Sequence, residues 1–196
     1  MDERIEESTL KTKIMKQYFH LGMEQGFSKV LLDQVAAQLS ISKKTIYKVF
    51  SSKEEIISAC IDDVFSTIDA EVLPIMTDPS ITIIDKITRL PVIVAKHLSF
   101  FTSQQVVDIQ RAFPHLWSQI LQQREQKIER YEALFRTAQE QGYIIDMDPK
   151  LIVHFFLVTI EAFTEENFLS KHNVSYAQSL QMVSNILLEG ILKQPN

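Results

Sequence analysis

The chain has 196 residues, 45% of them hydrophobic and 23% charged, and its formal net charge at pH 7 is −5. This length allows one large or two small domains with a substantial core, and the presence of only four glycines and six prolines favours helices. The single cysteine, Cys60, excludes an intramolecular disulfide and a thiolate zinc cluster. Segment 1–10 is polar and acidic, and no apolar run approaches the length of a membrane span. We therefore expect a soluble cytoplasmic protein without an export signal.

Apolar residues recur every three or four positions from about residue 8 to residue 25, which predicts a first helix. Gly26 should end this helix, because the position just past a helix C-terminus often needs a left-handed backbone. Phe27 and Val30 are expected to pack beneath the next two helices. The first three helices would then form one small bundle.

Segment 32–50, LDQVAAQLSISKKTIYKVF, predicts a helix-turn-helix. Its first helix should run from about residue 33 to residue 39. Residues 40–42 make the connection, and the Ser42 side chain should cap the second helix.

The second helix has one apolar side, because Ile46, Val49 and Phe50 follow at i, i+3 and i+4. Lys43 and Lys44 fall in its first turn, where a cation opposes the helix dipole unless an anion lies opposite. DNA phosphate is the obvious anion, and this arrangement is typical of a recognition helix.

Segment 42–56, SKKTIYKVFSSKEEI, resembles the N-terminal signature of the TetR family of transcriptional regulators, and Gly26-Phe27 upstream fits the same pattern. The matching run extends from about residue 14 to residue 61, roughly a quarter of the chain. The resemblance implies an all-α fold, with an N-terminal three-helix DNA-binding domain and a larger C-terminal helical domain for ligand binding and dimerisation.

Two departures from the family pattern concern packing and backbone conformation. Ser40 stands where the family usually has a turn glycine, and Gly22 where it usually has a large apolar residue. We expect Tyr18 and Phe19 to refill the space left by Gly22.

A third departure concerns DNA. Leu31 stands where the family usually has a hydroxyl residue that caps the helix and touches a phosphate. That contact is either missing here or moved to Ser28 or Lys29.

The charge is divided unevenly along the chain. Segment 8–53 contains eight lysines and two acidic residues, a local formal charge of +6, so the rest of the chain carries −11. A basic module joined to an acidic body confines phosphate attraction to one face. The alternative is a solvated lysine-rich surface. The predicted DNA-binding residues are Lys29, Ser42, Lys43, Lys44, Thr45, Tyr47, Lys48 and Lys53.

A fourth helix is predicted over residues 53–76 and links two domains, residues 1–52 and residues 53–196. As a rigid element it would move the DNA-binding head when the body changes shape. Pro91 should kink or split the helix that follows. The remaining predicted helices cover about residues 81–101, 104–112, 114–141, 149–170 and 176–193.

The last two predicted helices, 149–170 and 176–193, are apolar over more than one stripe. Such helices need burial on two sides, so we expect them to pair with the same helices of a second copy. The TetR resemblance implies the same homodimer. Its two recognition helices would reach half-sites roughly 34 Å apart.

Aromatic residues in the C-terminal half could line a cavity for a small-molecule effector, with Thr159 and Glu161 as polar groups. Core packing is the alternative for each aromatic residue. The predicted ligand-binding residues are Phe100, Phe101, Phe113, Trp117, Phe155, Thr159 and Glu161.

No motif indicates an enzyme, a cofactor or a metal site: the sequence has no glycine-rich phosphate loop, no G-x-S-x-G and no H-E-x-x-H. We therefore predict a sequence-specific transcriptional regulator, a repressor that a small-molecule ligand releases from a palindromic double-stranded DNA operator. Two alternatives remain open. One is an architectural DNA-binding protein, and the other is a helical carrier or enzyme with a vestigial helix-turn-helix.

Overall fold

The computed structural model describes residues 2–98, 101–163 and 166–193. These residues confirm the predicted all-helical fold. In chain order the described helices are α1 (Asp2–Gln25), α2 (Leu32–Gln38), α3 (Lys43–Val49), α4 (Lys53–Thr77), α5 (Ile83–Leu98), α6 (Ser103–Ala112), α7 (Pro114–Glu140), α8 (Pro149–Phe163), α9 (Glu166–His172) and α10 (Tyr176–Ile191). None of these helices is both long and apolar enough to cross a membrane.

The chain forms two compact units, Met1–Ser66 with Gln104–Ile120 and Thr67–Ser103 with Leu121–Asn196. Helices α4 and α7 each contribute to both units, and α6 belongs to the first. The first unit therefore contains more than the predicted DNA-binding domain, which ends at residue 52. The predicted end of the DNA-binding domain at residue 52 concerns function and not packing, so it stays a prediction.

The first unit is centred on Phe27, which is almost completely buried. The Tyr18 hydroxyl donates a hydrogen bond to the Phe27 carbonyl oxygen at 2.8 Å. A Cβ on Gly22 would lie 2.4 Å from the Phe27 ring. Phe27 therefore occupies the space above Gly22, and Tyr18 and Phe19 pack against its ring with centroids 6.4 and 5.7 Å away.

Local backbone chemistry sets the helix boundaries in this unit. Gly26 has φ +93° directly after α1, which confirms its predicted role. Ser40 adopts φ +55°, so a serine occupies the left-handed turn position at which the family usually has glycine. The Ser42 side chain accepts a hydrogen bond from the Thr45 N–H, as predicted for the cap of α3.

The second unit has a core built on α10, which packs against α5 and α8. Ala177, Leu180 and Val183 are buried there. The Ser175 side chain caps the start of α10 by accepting from the Gln178 N–H at 3.2 Å.

The predicted start of the first helix differs from the structure. Helix α1 already begins at Asp2. Within the predicted helix 149–170 the described parts are α8, up to Phe163, and α9, from Glu166, and residues 164 and 165 lie outside the described residues. Pro91 does not split α5, whose buried Ile87 and Leu90 hold it in place although proline removes one intrahelical hydrogen bond.

Candidate nucleic-acid interface

Helix α3 presents one side to the core and the other to solvent. Ile46 is fully buried and anchors the helix, and Phe50 just after it is also buried. Tyr47 is 51% exposed, and Lys44 and Lys48 are exposed beside it. A helix anchored on one side with cations and an aromatic ring outward has the composition of a major-groove reading helix.

The two hydroxyl residues of the predicted interface also organise the helix itself. Ser42 Oγ accepts from the Thr45 N–H at 3.0 Å, and the two hydroxyl oxygens lie 2.8 Å apart. These bonds fix the first turn of α3 and leave Ser42 exposed. Both hydroxyls are held in position without being withdrawn from the surface.

Lys43 already has an anion opposite it within the protein. Its Nζ lies 2.9 Å from Asp33 Oδ2 of α2, and both side chains are exposed. The hydrogen bond to Asp33 raises the pKa of Lys43 above its ordinary value. Asp33 supplies the negative charge that sequence reasoning assigned to DNA, and this role was missed because ten residues separate the partners.

Lys53 at the start of α4 points back into the first unit. Its Nζ donates to the carbonyl oxygen of Ser28 at 2.6 Å and lies 5.8 Å from the centroid of the Phe113 ring. Burial lowers the pKa of Lys53, and the nearby Asp108 carboxylate opposes that shift. In this arrangement the ammonium group is engaged inside the protein.

The beginning of α2 lacks the side-chain cap that a hydroxyl would supply at Leu31. Instead, the Leu31 N–H donates to Gln34 Oε1 at 2.8 Å, and the same oxygen accepts from Gln25 Nε2 at 3.1 Å. The Leu31 side chain is 61% exposed. Lys29, two residues earlier, is also exposed and is the cation closest in sequence to the altered position.

The lysines predicted to bind DNA are therefore not equivalent. Within the described residues, Lys29, Lys44 and Lys48 form no ion pair with the protein, whereas Lys43 and Lys53 have internal partners. The same part of the chain contains no group of three or more residues that could hold a metal ion. The fold and this surface define a helix-turn-helix DNA-binding protein.

Comparison with known proteins identifies the family. Residues 19–60 match the model of bacterial regulatory proteins of the tetR family. The uncharacterized HTH-type transcriptional regulator YvaF of Bacillus subtilis is 21% identical over 179 residues, which cover 91% of this chain and 94% of that protein.

Solved structures share the fold. A putative transcriptional regulator from Saccharomonospora viridis in complex with choline has a TM-score of 0.74 at 18% identity, covering 95% of this chain and 100% of that chain. SmeT, the repressor of the Stenotrophomonas maltophilia multidrug efflux pump SmeDEF, has a TM-score of 0.73 at 15% identity. The match covers 94% of this chain and 91% of SmeT. The helix-turn-helix segment of the chain matches the tetR family, and the chain is a DNA-binding transcriptional regulator.

The predicted ligand-binding residues fall in different parts of the molecule. Phe113 and Trp117 belong to the first unit, and Phe113 is buried beneath Lys53. Phe101 is buried in the second unit. Phe100 lies outside the described residues, as does the side chain of Glu161.

Phe155 and Thr159 lie one turn apart on α8. Thr159 Oγ1 donates to the Phe155 carbonyl oxygen at 2.6 Å, so its hydroxyl is engaged with its own helix. Phe155 is 60% exposed, which suits a contact with another molecule better than the wall of a closed cavity.

Proposed function

We propose that this regulator is a homodimeric repressor that leaves a palindromic operator when a small molecule binds its C-terminal domain, residues 53–196. The observation that carries the DNA-binding part is the outward face of α3, where Lys44, Tyr47 and Lys48 are exposed opposite the buried Ile46. Phosphate contacts position such a helix and base contacts give it sequence preference. We assign phosphate contacts to Lys29, Lys44 and Lys48, and a sugar or base contact to Tyr47.

The proposed dimer uses the apolar surface of the last helices. Leu151, Phe155 and Val158 are exposed at i, i+4 and i+7 of α8, and Met182 and Ile186 at i and i+4 of α10. Complete burial of a large apolar side chain stabilises by about 1.5–3 kcal/mol. Burying the exposed half of such a side chain in the dimer would therefore contribute roughly 1 kcal/mol. Ten such side chains in a symmetric pair would supply roughly 10 kcal/mol, comparable to the cost of about 4–15 kcal/mol for association.

Substituting Phe155→Glu tests this interface. The carboxylate should separate the copies, halve the molecular mass in sedimentation and abolish tight operator binding, while circular dichroism stays helical. Val92→Glu is the matched control, because Val92 is a comparably exposed aliphatic residue on α5. A Phe155→Glu protein that keeps the mass of a dimer would rule out this interface.

A small-molecule effector is supported by the structurally similar Saccharomonospora viridis regulator, which was solved in complex with choline. The second unit also contains a half-buried charge pair and an exposed one. Lys127 Nζ lies 2.6 Å from Asp69 Oδ2, and Lys96 donates to Glu71 at 3.0 Å. An effector that binds better to a conformation unable to bind the operator lowers the affinity for the operator by a certain factor. The bound operator must then lower the affinity for the effector by the same factor.

The decisive experiment begins with selection from a random DNA library by the purified protein. Anisotropy of the selected duplex is then measured over a salt series, without and with choline and other small cationic or apolar probes. A palindromic motif that a probe releases, with reciprocal loss of probe affinity, supports the proposal. Binding without sequence preference would favour the architectural alternative, and no binding at low salt would favour the carrier or enzyme.

A further inference from the structure

A carboxylate from α6 holds the loop between α1 and α2. The Ser28 N–H donates to Asp108 Oδ2 at 2.8 Å, and the Ser28 hydroxyl donates to the other oxygen, Oδ1. Hydrogen bonds to an ionised acceptor are roughly twice as strong as neutral ones. One residue of the loop therefore occupies both oxygens of an acid that lies 80 positions later in the chain.

Ser28 has a second partner outside the loop. Lys53 Nζ donates to the Ser28 carbonyl oxygen at 2.6 Å. The N–H, the hydroxyl and the carbonyl of Ser28 thus all have partners, two from Asp108 and one from Lys53. Fixing all three groups restricts the backbone immediately before Lys29.

Two further contacts bring α6 close to this loop. Gln105, one turn before Asp108, donates from Nε2 to the Met23 carbonyl oxygen at 2.7 Å. Gly26 approaches so closely that a Cβ there would lie 3.3 Å from Asp108 Oδ2. Val106, Val107 and Ile109 of α6 are buried as well. Helix α6 is therefore packed as part of the first unit.

We propose that Asp108 is a positioning residue for DNA binding, which holds Ser28 so that Lys29 and the start of α2 keep their places beside α3. Lys53 is the second clamp on the same loop and not a phosphate ligand. The inference rests on the proposed interface through Lys29, since that exposed lysine directly follows the clamped residue.

The sign of the effect separates positioning from simple electrostatics. If Asp108 acted only as a negative charge near DNA, neutralising it would tighten operator binding. The matched control is Asp62→Asn, which removes the same charge from an exposed position of α4 in the same unit. If Asp108 positions Ser28, neutralising Asp108 should weaken operator binding, whereas Asp62→Asn should tighten it.

The test measures operator affinity by anisotropy over a salt series for Asp108→Ala, Asp108→Asn and Ser28→Ala. Asp108→Ala should weaken binding roughly tenfold, because two hydrogen bonds to a charged group are lost. The salt slope should fall by about 0.9 for each protein copy bound, as the Lys29 phosphate contact is lost. Two milder variants should have operator affinities between those of the wild type and Asp108→Ala. Asp108→Asn keeps an acceptor oxygen, and Ser28→Ala keeps the hydrogen bond from the backbone N–H.

Stoichiometric titration gives the active fraction, so that unfolded protein is not counted as weak binding. A purely structural role would lower the melting temperature and the active fraction but leave the salt slope of the folded protein unchanged. That result, or an Asp108→Asn protein that binds more tightly as Asp62→Asn does, would overturn the proposal. Lys44→Ala tests the interface independently: an unchanged salt slope there would reject the proposed DNA contacts themselves.

Discussion

Removing the carboxylate of Asp33 should make this regulator bind DNA more tightly. In the free protein Asp33 Oδ2 lies 2.9 Å from Lys43 Nζ in the first turn of the recognition helix. The substitution Asp33→Asn keeps the size of the side chain and removes the charge. Lys43 then becomes available to a phosphate, whereas in the wild-type protein it must first leave its partner.

The size of the effect follows from counterion release. Each phosphate neutralised by a cation contributes about 0.9 to the slope of log K against log salt on B-form DNA. Asp33→Asn should therefore steepen the slope by up to about 0.9 for each protein copy bound. Between 50 and 200 mM salt this slope corresponds to a further loss of affinity of about 3.5-fold per copy. The variant should accordingly show its largest gain at the lowest salt.

The assay is fluorescence anisotropy of the selected operator over a salt series. Lys43→Ala should lower affinity less than Lys44→Ala does, because the charge of Lys43 is already compensated. The double variant Asp33→Asn/Lys43→Ala closes the cycle and should lose the gain seen with Asp33→Asn alone. If the double variant keeps the full gain, the Asp33 carboxylate acts on DNA directly and the reasoning about Lys43 is wrong. Weaker operator binding by Asp33→Asn would refute it as well.

Three further predictions concern stability and reactivity. Ser40→Gly should raise the free energy of unfolding in urea by about 0.5–1 kcal/mol, since φ +55° suits glycine better than serine; an unchanged value would mean that the entropy of the unfolded chain cancels the gain. Gly22→Ala should lower the free energy of unfolding by about 1–3 kcal/mol, because the new methyl group meets the Phe27 ring. Gly190→Ala, in open space on a helix, should raise the free energy of unfolding by about 0.5–1 kcal/mol. Equal effects at the two sites would contradict this reasoning. Burial raises the pKa of the Cys60 thiol to about 12, so at pH 8 a thiol reagent should label unfolded but not native protein, and rapid native labelling would show that the site opens.

The raised pKa of Cys60 also has a consequence for stability. The folded state holds the thiol proton more tightly than the unfolded state, whose ordinary pKa is 9.0. This contribution is complete below pH 9 and is lost as the pH rises toward 12. Urea midpoints measured between pH 8 and pH 10.5 should therefore fall more steeply for the wild-type protein than for Cys60→Ala.

Features that depend on near neighbours in the chain could be predicted from the sequence. Gly26 ends α1 with a positive φ, and Ser42 caps α3 through the N–H three residues later. The helical periodicity correctly assigned Ile46 to the inner face of the recognition helix, and Tyr47 and Lys48 to the outer face. Turns, caps and helical periodicity extend over only a few residues, so the sequence contains the information locally.

The sequence by itself thus determined an all-helical DNA-binding regulator and the outward face of its recognition helix. Only the tertiary structure decided which lysines are free to meet DNA. Asp33 pairs with Lys43 across ten residues, Lys53 reaches Ser28 across 25, and Asp108 reaches Ser28 across 80. The physical reason is that a charged side chain bonds to whatever the fold brings within about 3 Å, and sequence spacing does not encode that distance once several helices intervene.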